Sequence, residues 1–145
     1  MGGQGTPQWD VLLVVTSDRY GLELFGSVRR LIGAALRNGR SVQVWACGYS
    51  AMLTQRGNAV SPAADQESRE TGAPAAGQGC CAGSAAAQIG QLITEQGGRF
   101  SWLACQTCSD DRGAGEHIAG VPSPSLTQFS DYVDAAAKTI YIGGG

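Results

Sequence analysis

The sequence predicts an α/β protein, a three-layer sandwich built on a mostly parallel sheet. Short, continuous apolar runs rich in Val, Leu and Trp alternate with longer segments whose apolar residues recur at helical spacing. The runs lack the in-and-out alternation of a sheet with one wet face, so they read as strands covered on both sides, as in parallel sheets. The segments between them have the length that parallel crossovers require.

The first strand is "WDVLLVVTS", too short for a buried helix and closed by polar turn residues. "GLELFGSVRRLIGAALRNG" follows as a helix, with Leu24, Val28, Leu31, Ile32 and Ala35 on its apolar face and Asn38-Gly39 as its stop. "SVQVWAC" is the second strand and completes a βαβ unit whose handedness should be right. From about 49 to 83 the pattern fails: "QRGNAVSPAADQESRETGAPAAGQGCCAG" is rich in Gly, Ala, Pro and polar residues, an inserted loop within a single domain spanning 1–145. "SAAAQIGQLITEQGG" restores helical spacing, with Ser84 as cap, Ile89, Leu92 and Ile93 as the apolar stripe, and Gly97-Gly98 as the end. "RFSWLAC" is the third strand. In "SPSLTQFSDYVDAAAKT" a helix begins at Ser123 or Ser125 and turns Leu126, Phe129, Val133 and Ala136 inward, and "IYIGGG" is the last strand.

A chain of 145 residues can bury its core without disulfide staples. Its formal charge of −2, with only 15% charged residues, offers no basic face to a nucleic acid. No apolar run approaches the roughly 20 residues that span a bilayer, and "MGGQGTPQWD" lacks a signal peptide's basic-then-apolar pattern. The expectation is a cytoplasmic protein with neither membrane nor nucleic-acid partners. Five cysteines, an odd number, argue for reduced thiols rather than a disulfide framework.

The stretch "SWLACQTCSDDRG" concentrates the chemistry, because Cys105 and Cys108 stand where an apolar strand gives way to charge. Ligands and reactions in open α/β sheets collect at the carboxyl ends of strands. A thiolate there can be stabilised by the positive end of a helix, which would lower the pKa of Cys105 from about 8.5 and make it a nucleophile. Arg112 would add a nearby cation, opposed by Asp110 and Asp111. A zinc clip needs four ligands, and only the adjacent Cys80-Cys81 and His117 remain to supply them, so no metal and no cofactor are expected. A thioredoxin-type pair shares the spacing but belongs after the first core strand. The plainest alternative keeps both cysteines as inert, buried packing residues.

These segments resemble a known family. "WLACQTCSDDRG", the opening "VLLVVTSDRYGLELFGSVRRLIGAALRNGRSVQVWAC" and the closing strand after a short helix are similar to the DsrE/DsrF-like sulfurtransferases, which include the sulfur-relay proteins of the Tus type. The resemblance covers about two thirds of the chain, all but the 49–83 loop and the extreme carboxyl terminus. It implies a DsrE-like, flavodoxin-like topology and a homo-oligomer, trimeric or hexameric. In that family a cysteine ends the strand before a helix closed by Arg-Gly, the register of Cys105 to Arg112-Gly113. The resemblance therefore implies that Cys105 carries sulfur as a persulfide, exchanged with donor and acceptor proteins or small thiols. Cys108 would release that sulfur as sulfide by closing a disulfide, or tune the first thiol. A CxxC thiol–disulfide oxidoreductase and a non-catalytic subunit are the alternatives.

Other residues have simpler roles. Ser17 and Tyr20, in "TSDRYG" after the first strand, are at the same sheet edge and would face substrate with Arg112, although Ser17 or Asp18 equally caps the first helix. His117 is a surface residue or a general acid. Trp9, Trp45 and Trp102 belong to the core or a subunit contact. The terminal "GGG" invites comparison with ubiquitin-like sulfur carriers, but those are smaller, and a glycine tail is an ordinary frayed end.

Overall fold

Among the described residues, four strands hydrogen-bond side by side in the order β3-β2-β1-β4, all parallel, in the computed structural model of the chain. It describes residues 8–17, 22–56, 84–113 and 116–144. Strand β1 (Trp9–Ser17) leads into helix α1 (Leu22–Arg37) and strand β2 (Val42–Gly48). Helix α2 (Ala85–Gln96) precedes strand β3 (Phe100–Ala104). The short helices α3 (Gln106–Asp111) and α4 (Phe129–Asp134) then lead to β4 (Ala136–Gly144).

Two cores explain the three layers. Leu13, Val15, Val42, Val44, Ala46, Phe100 and Trp102 turn to one face of the sheet and pack with Phe25, Val28, Ile32 and Leu36 of α1 and Ile89 of α2. Their alternate neighbours Leu12, Val14, Trp45, Leu103 and Cys105 turn to the other face, against Cys108, Phe129, Tyr132 and Val133. Strands β1, β2 and β3 are therefore covered on both sides, as their unbroken apolar runs require, while the edge strand β4 stays partly exposed, with Tyr141 at 64%. The chain adds β2 and β3 on one side of β1 with both crossover helices on one face. It then returns past β2 and β1 across the opposite face to add β4, as a constant crossover hand demands. Among the described residues, no helix is long and apolar enough to cross a membrane.

Three local expectations change. The buried stripe of α1 is Phe25, Val28, Ile32 and Leu36, while Leu31 is 40% exposed; Leu31 lies off the line that 3.6-residue spacing draws through the others. The last helix stops at Asp134 and β4 begins at Ala136, because β1 offers a partner along its whole length, Trp9 opposite Ala136 and Ser17 opposite Gly144. That ladder outweighs the helical preference of three alanines. Leu126, expected inward, is exposed, and Tyr132 takes the inner position beside Phe129 and Val133.

The first residues of the expected loop are ordered too: Tyr49–Met52 form a 3₁₀ turn, and Gln55 bridges antiparallel to His117. The turn follows β2 at once because Gly48 adopts φ +61°, a conformation that favours glycine. The rest of that segment, with Cys80 and Cys81, lies outside the described residues.

Candidate functional site: a three-thiol cluster

The site follows from strand parity and register. In β2, Trp45 and Cys47 share a face, and in β3, Leu103 and Cys105 share the same one. Ala46 pairs with Ala104, and the Cys105 N–H donates to the Ala46 carbonyl at 3.0 Å, so the next residues, Cys47 and Cys105, stand side by side at the carboxyl edge. Cys108, within the first turn of α3, points back to them. The sulfurs of Cys47, Cys105 and Cys108 all lie within 4.8 Å of one another, and Cys108 to Cys47 is 3.6 Å. Cys108 thus meets a thiol from outside the CxxC, that of Cys47.

The end of β3 is held firmly. Ala104 N–H donates to the Pro122 carbonyl at 3.0 Å, Gln106 N–H to Pro124 at 2.8 Å, and the Ser123 hydroxyl to the Ala104 carbonyl at 2.8 Å. Arg112 caps α3 and Gly113 leaves it at φ +69°, the Arg-Gly ending that the resemblance implied.

Burial decides the electrostatics. Cys105 is wholly covered (0% exposed), and Cys47 and Cys108 are half-buried. Desolvation raises the Cys105 pKa, against the opposing pull of the Cys108 and Thr107 backbone N–H groups. No capping hydrogen bond forms on its sulfur, and Cys105 is covered within this chain where the sequence predicts an exposed thiol. α3 is too short and the surroundings too apolar for the helix end to offset burial. Cys47 is pushed up to about 12, chiefly by burial and further by Cys108, while the Trp45 indole N–H works in the opposite direction. That N–H acts on the Cys47 sulfur yet makes no hydrogen bond of good geometry, and Trp45 is fully buried between the sheet, Phe129 (ring centroids 5.1 Å apart) and Tyr132 (5.5 Å).

Of the other residues singled out, Arg112 lies with its guanidinium 4.8 Å from the centre of the Tyr49 ring, a cation–π contact. Ser17 is described only in its backbone, beside Gly48, and Tyr20 lies outside the described residues. His117 is not free on the surface: Nδ1 meets the Thr54 hydroxyl at 2.9 Å and Nε2 the Ser109 hydroxyl at 3.2 Å. Burial lowers its pKa, so it stays a neutral strut tying the segment after β2 to α3. Trp45 and Trp102 are core residues as expected.

Cys47 is the residue that sequence reasoning missed. Its signal was available: "VWAC" and "WLAC" both end in cysteine two residues after an inward side chain, and adjacent parallel strands place such endings together.

An all-parallel α/β sandwich with thiols gathered at the carboxyl edge of its sheet defines the class. Among solved structures, the ychN protein of E. coli is similar, with a TM-score of 0.61 and 19% identity over 92% of this chain and 98% of that one. The chain has the DsrE-like fold that its sequence resembles. No family model and no curated protein matches it.

Proposed function

We propose that the chain is a sulfur-relay protein that accepts sulfane sulfur into the three-thiol cluster and passes it to an acceptor. The observation that carries this reading is the cluster itself, three sulfurs within 4.8 Å at the sheet edge where α/β folds do chemistry. Burial favours Cys108 over Cys105 as the thiol that meets the donor, since Cys105 is wholly covered and Cys108 only half-buried. The Cys108 thiolate attacks the terminal sulfur of a donor persulfide. The donor's S–S bond breaks, its thiolate leaves, and Cys108 becomes a persulfide. Cys105 and Cys47, kept protonated by burial, then offer S–H donors to the new terminal sulfur. A thiolate on the acceptor attacks that sulfur and restores Cys108.

Incubation with a persulfide donor, followed by whole-protein mass and peptide mapping, tests this. One added sulfur on the Cys105–Cys108 peptide, lost in Cys108→Ser, is expected. Loading that survives in Cys108→Ser but fails in Cys105→Ala would move the acceptor to Cys105; loading confined to Cys80 or Cys81 would reject the cluster. The 3.6 Å Cys47–Cys108 approach favours one second reading, a thiol–disulfide oxidoreductase. Its mark is a reversible Cys47–Cys108 bond with turnover of a disulfide and no sulfane sulfur.

A further inference from the structure

We propose that Cys47, Cys105 and Cys108 form a three-coordinate binding site for a soft monovalent metal ion, Cu(I). Three sulfurs from β2, the end of β3 and α3 converge without a disulfide between them. An ion about 2.3 Å from each of three coplanar sulfurs sets them about 4.0 Å apart. The structure brackets that spacing, with 3.6 Å for Cys47–Cys108 and at most 4.8 Å for the other pairs. The site closes on an ion by side-chain adjustments of an ångström or less, with both strand ends already fixed by their ladder.

The ligand set selects the ion. Thiolates favour Cu(I) and zinc among common metals. Zinc takes a fourth ligand almost always, and no other Cys, His, Asp or Glu among the described residues joins this group. His117 has both ring nitrogens engaged, with Thr54 and Ser109. Nor is a water a natural fourth ligand, because Trp45, Leu103, Phe129, Tyr132 and Val133 make the surroundings apolar. A soft d¹⁰ monovalent ion is satisfied by three sulfurs, and its binding displaces to solvent the protons that the free thiols hold. Trp45 supplies an independent observation: its Nε1 is buried with no hydrogen-bond partner, in the same packed cluster as Cys47. A donor left over beside a sulfur suits a metal-bound thiolate, which keeps negative charge for it to stabilise.

This inference rests on the cluster and not on sulfur transfer. The test is anaerobic titration of the full chain with Cu(I) against a chromophoric Cu(I) chelator, with sulfur X-ray absorption of the loaded protein. One equivalent held by three sulfurs is expected. Cys47→Ser and Cys108→Ser, both at half-buried positions, should each weaken retention at least tenfold with unchanged far-ultraviolet circular dichroism, while a Cys80→Ser/Cys81→Ser variant retains copper. Loss of copper in that last variant, indifference to the first two, or retention of Zn(II) in preference to Cu(I) would overturn the proposal. Sulfur loading measured on the same samples fails or survives separately.

Discussion

The two ends of the sheet are built from the same strands and do opposite things. At the amino end, side-chain hydrogen bonds tie the strand starts together. The Ser41 N–H donates to the Asp10 carboxylate at 2.8 Å and the Asp10 N–H to the Ser41 hydroxyl at 3.0 Å, joining the starts of β1 and β2. Arg99 donates to the Leu36 carbonyl at 2.7 Å and lines an open groove with Arg29 and Arg37, where cations complement the carboxyl ends of α1 and α2. At the carboxyl end, three thiols crowd together and an indole N–H has no partner. The amino end is laced by hydrogen bonds between strands and helix ends, whereas the carboxyl end gathers reactive thiols.

Substitutions can break that contrast. The largest effect expected is on chemistry: Cys108→Ser should reduce sulfur loading at least tenfold while its melting temperature stays near wild type, whereas Asp10→Asn should leave loading intact. Equal loss in both variants would erase the distinction. Next comes packing. Trp45→Ala empties a site covered by Phe129 and Tyr132 and should cost about 3–5 kcal/mol in denaturant unfolding, while Trp45→Phe removes the indole N–H and much less of the packing.

The ends also part in their pH dependence. Burial keeps the Cys47 and Cys105 pKa values above those of the unfolded chain, so the folded state holds these protons longer and stability falls as pH rises from about 9 toward 12. Cys47→Ala should flatten that alkaline limb. Asp10 is held below the usual carboxylate range, first by the Ser41 backbone N–H, so its contribution is present above about pH 4 and is lost as pH falls through its folded value. His117, lowered by burial, adds a smaller loss that begins as pH falls below about 6.5. Melting temperatures across the pH range check all three; an alkaline limb unchanged by Cys47→Ala would remove the thiols from the account.

Much of this was legible in the sequence. A run such as "WDVLLVVTS" has one comfortable environment, a strand covered on both faces, and β1 spans those nine residues. The Ser84 cap was equally plain, its hydroxyl accepting from Ala87 N–H at 3.2 Å. Local pattern could not fix what another strand decides: β4 starts where β1 needs a partner, not where helix propensity fades. The site was half legible. The CxxC drew attention to Cys105 and Cys108, but a thiol's burial depends on what crosses above it, here α4 with Phe129 and Tyr132. Cys47 is 58 residues from Cys105 in the chain, and only the β2–β3 register brings it alongside.

The central claim is that one accessible thiol in this cluster takes up sulfur. Peptide-mapped mass of the full chain after a persulfide donor, compared across Cys47→Ala, Cys105→Ala and Cys108→Ser, measures it directly. A single sulfur retained in the first two variants and absent from the third is the predicted result. Uptake by wild type and Cys108→Ser alike, or none in wild type, would contradict it.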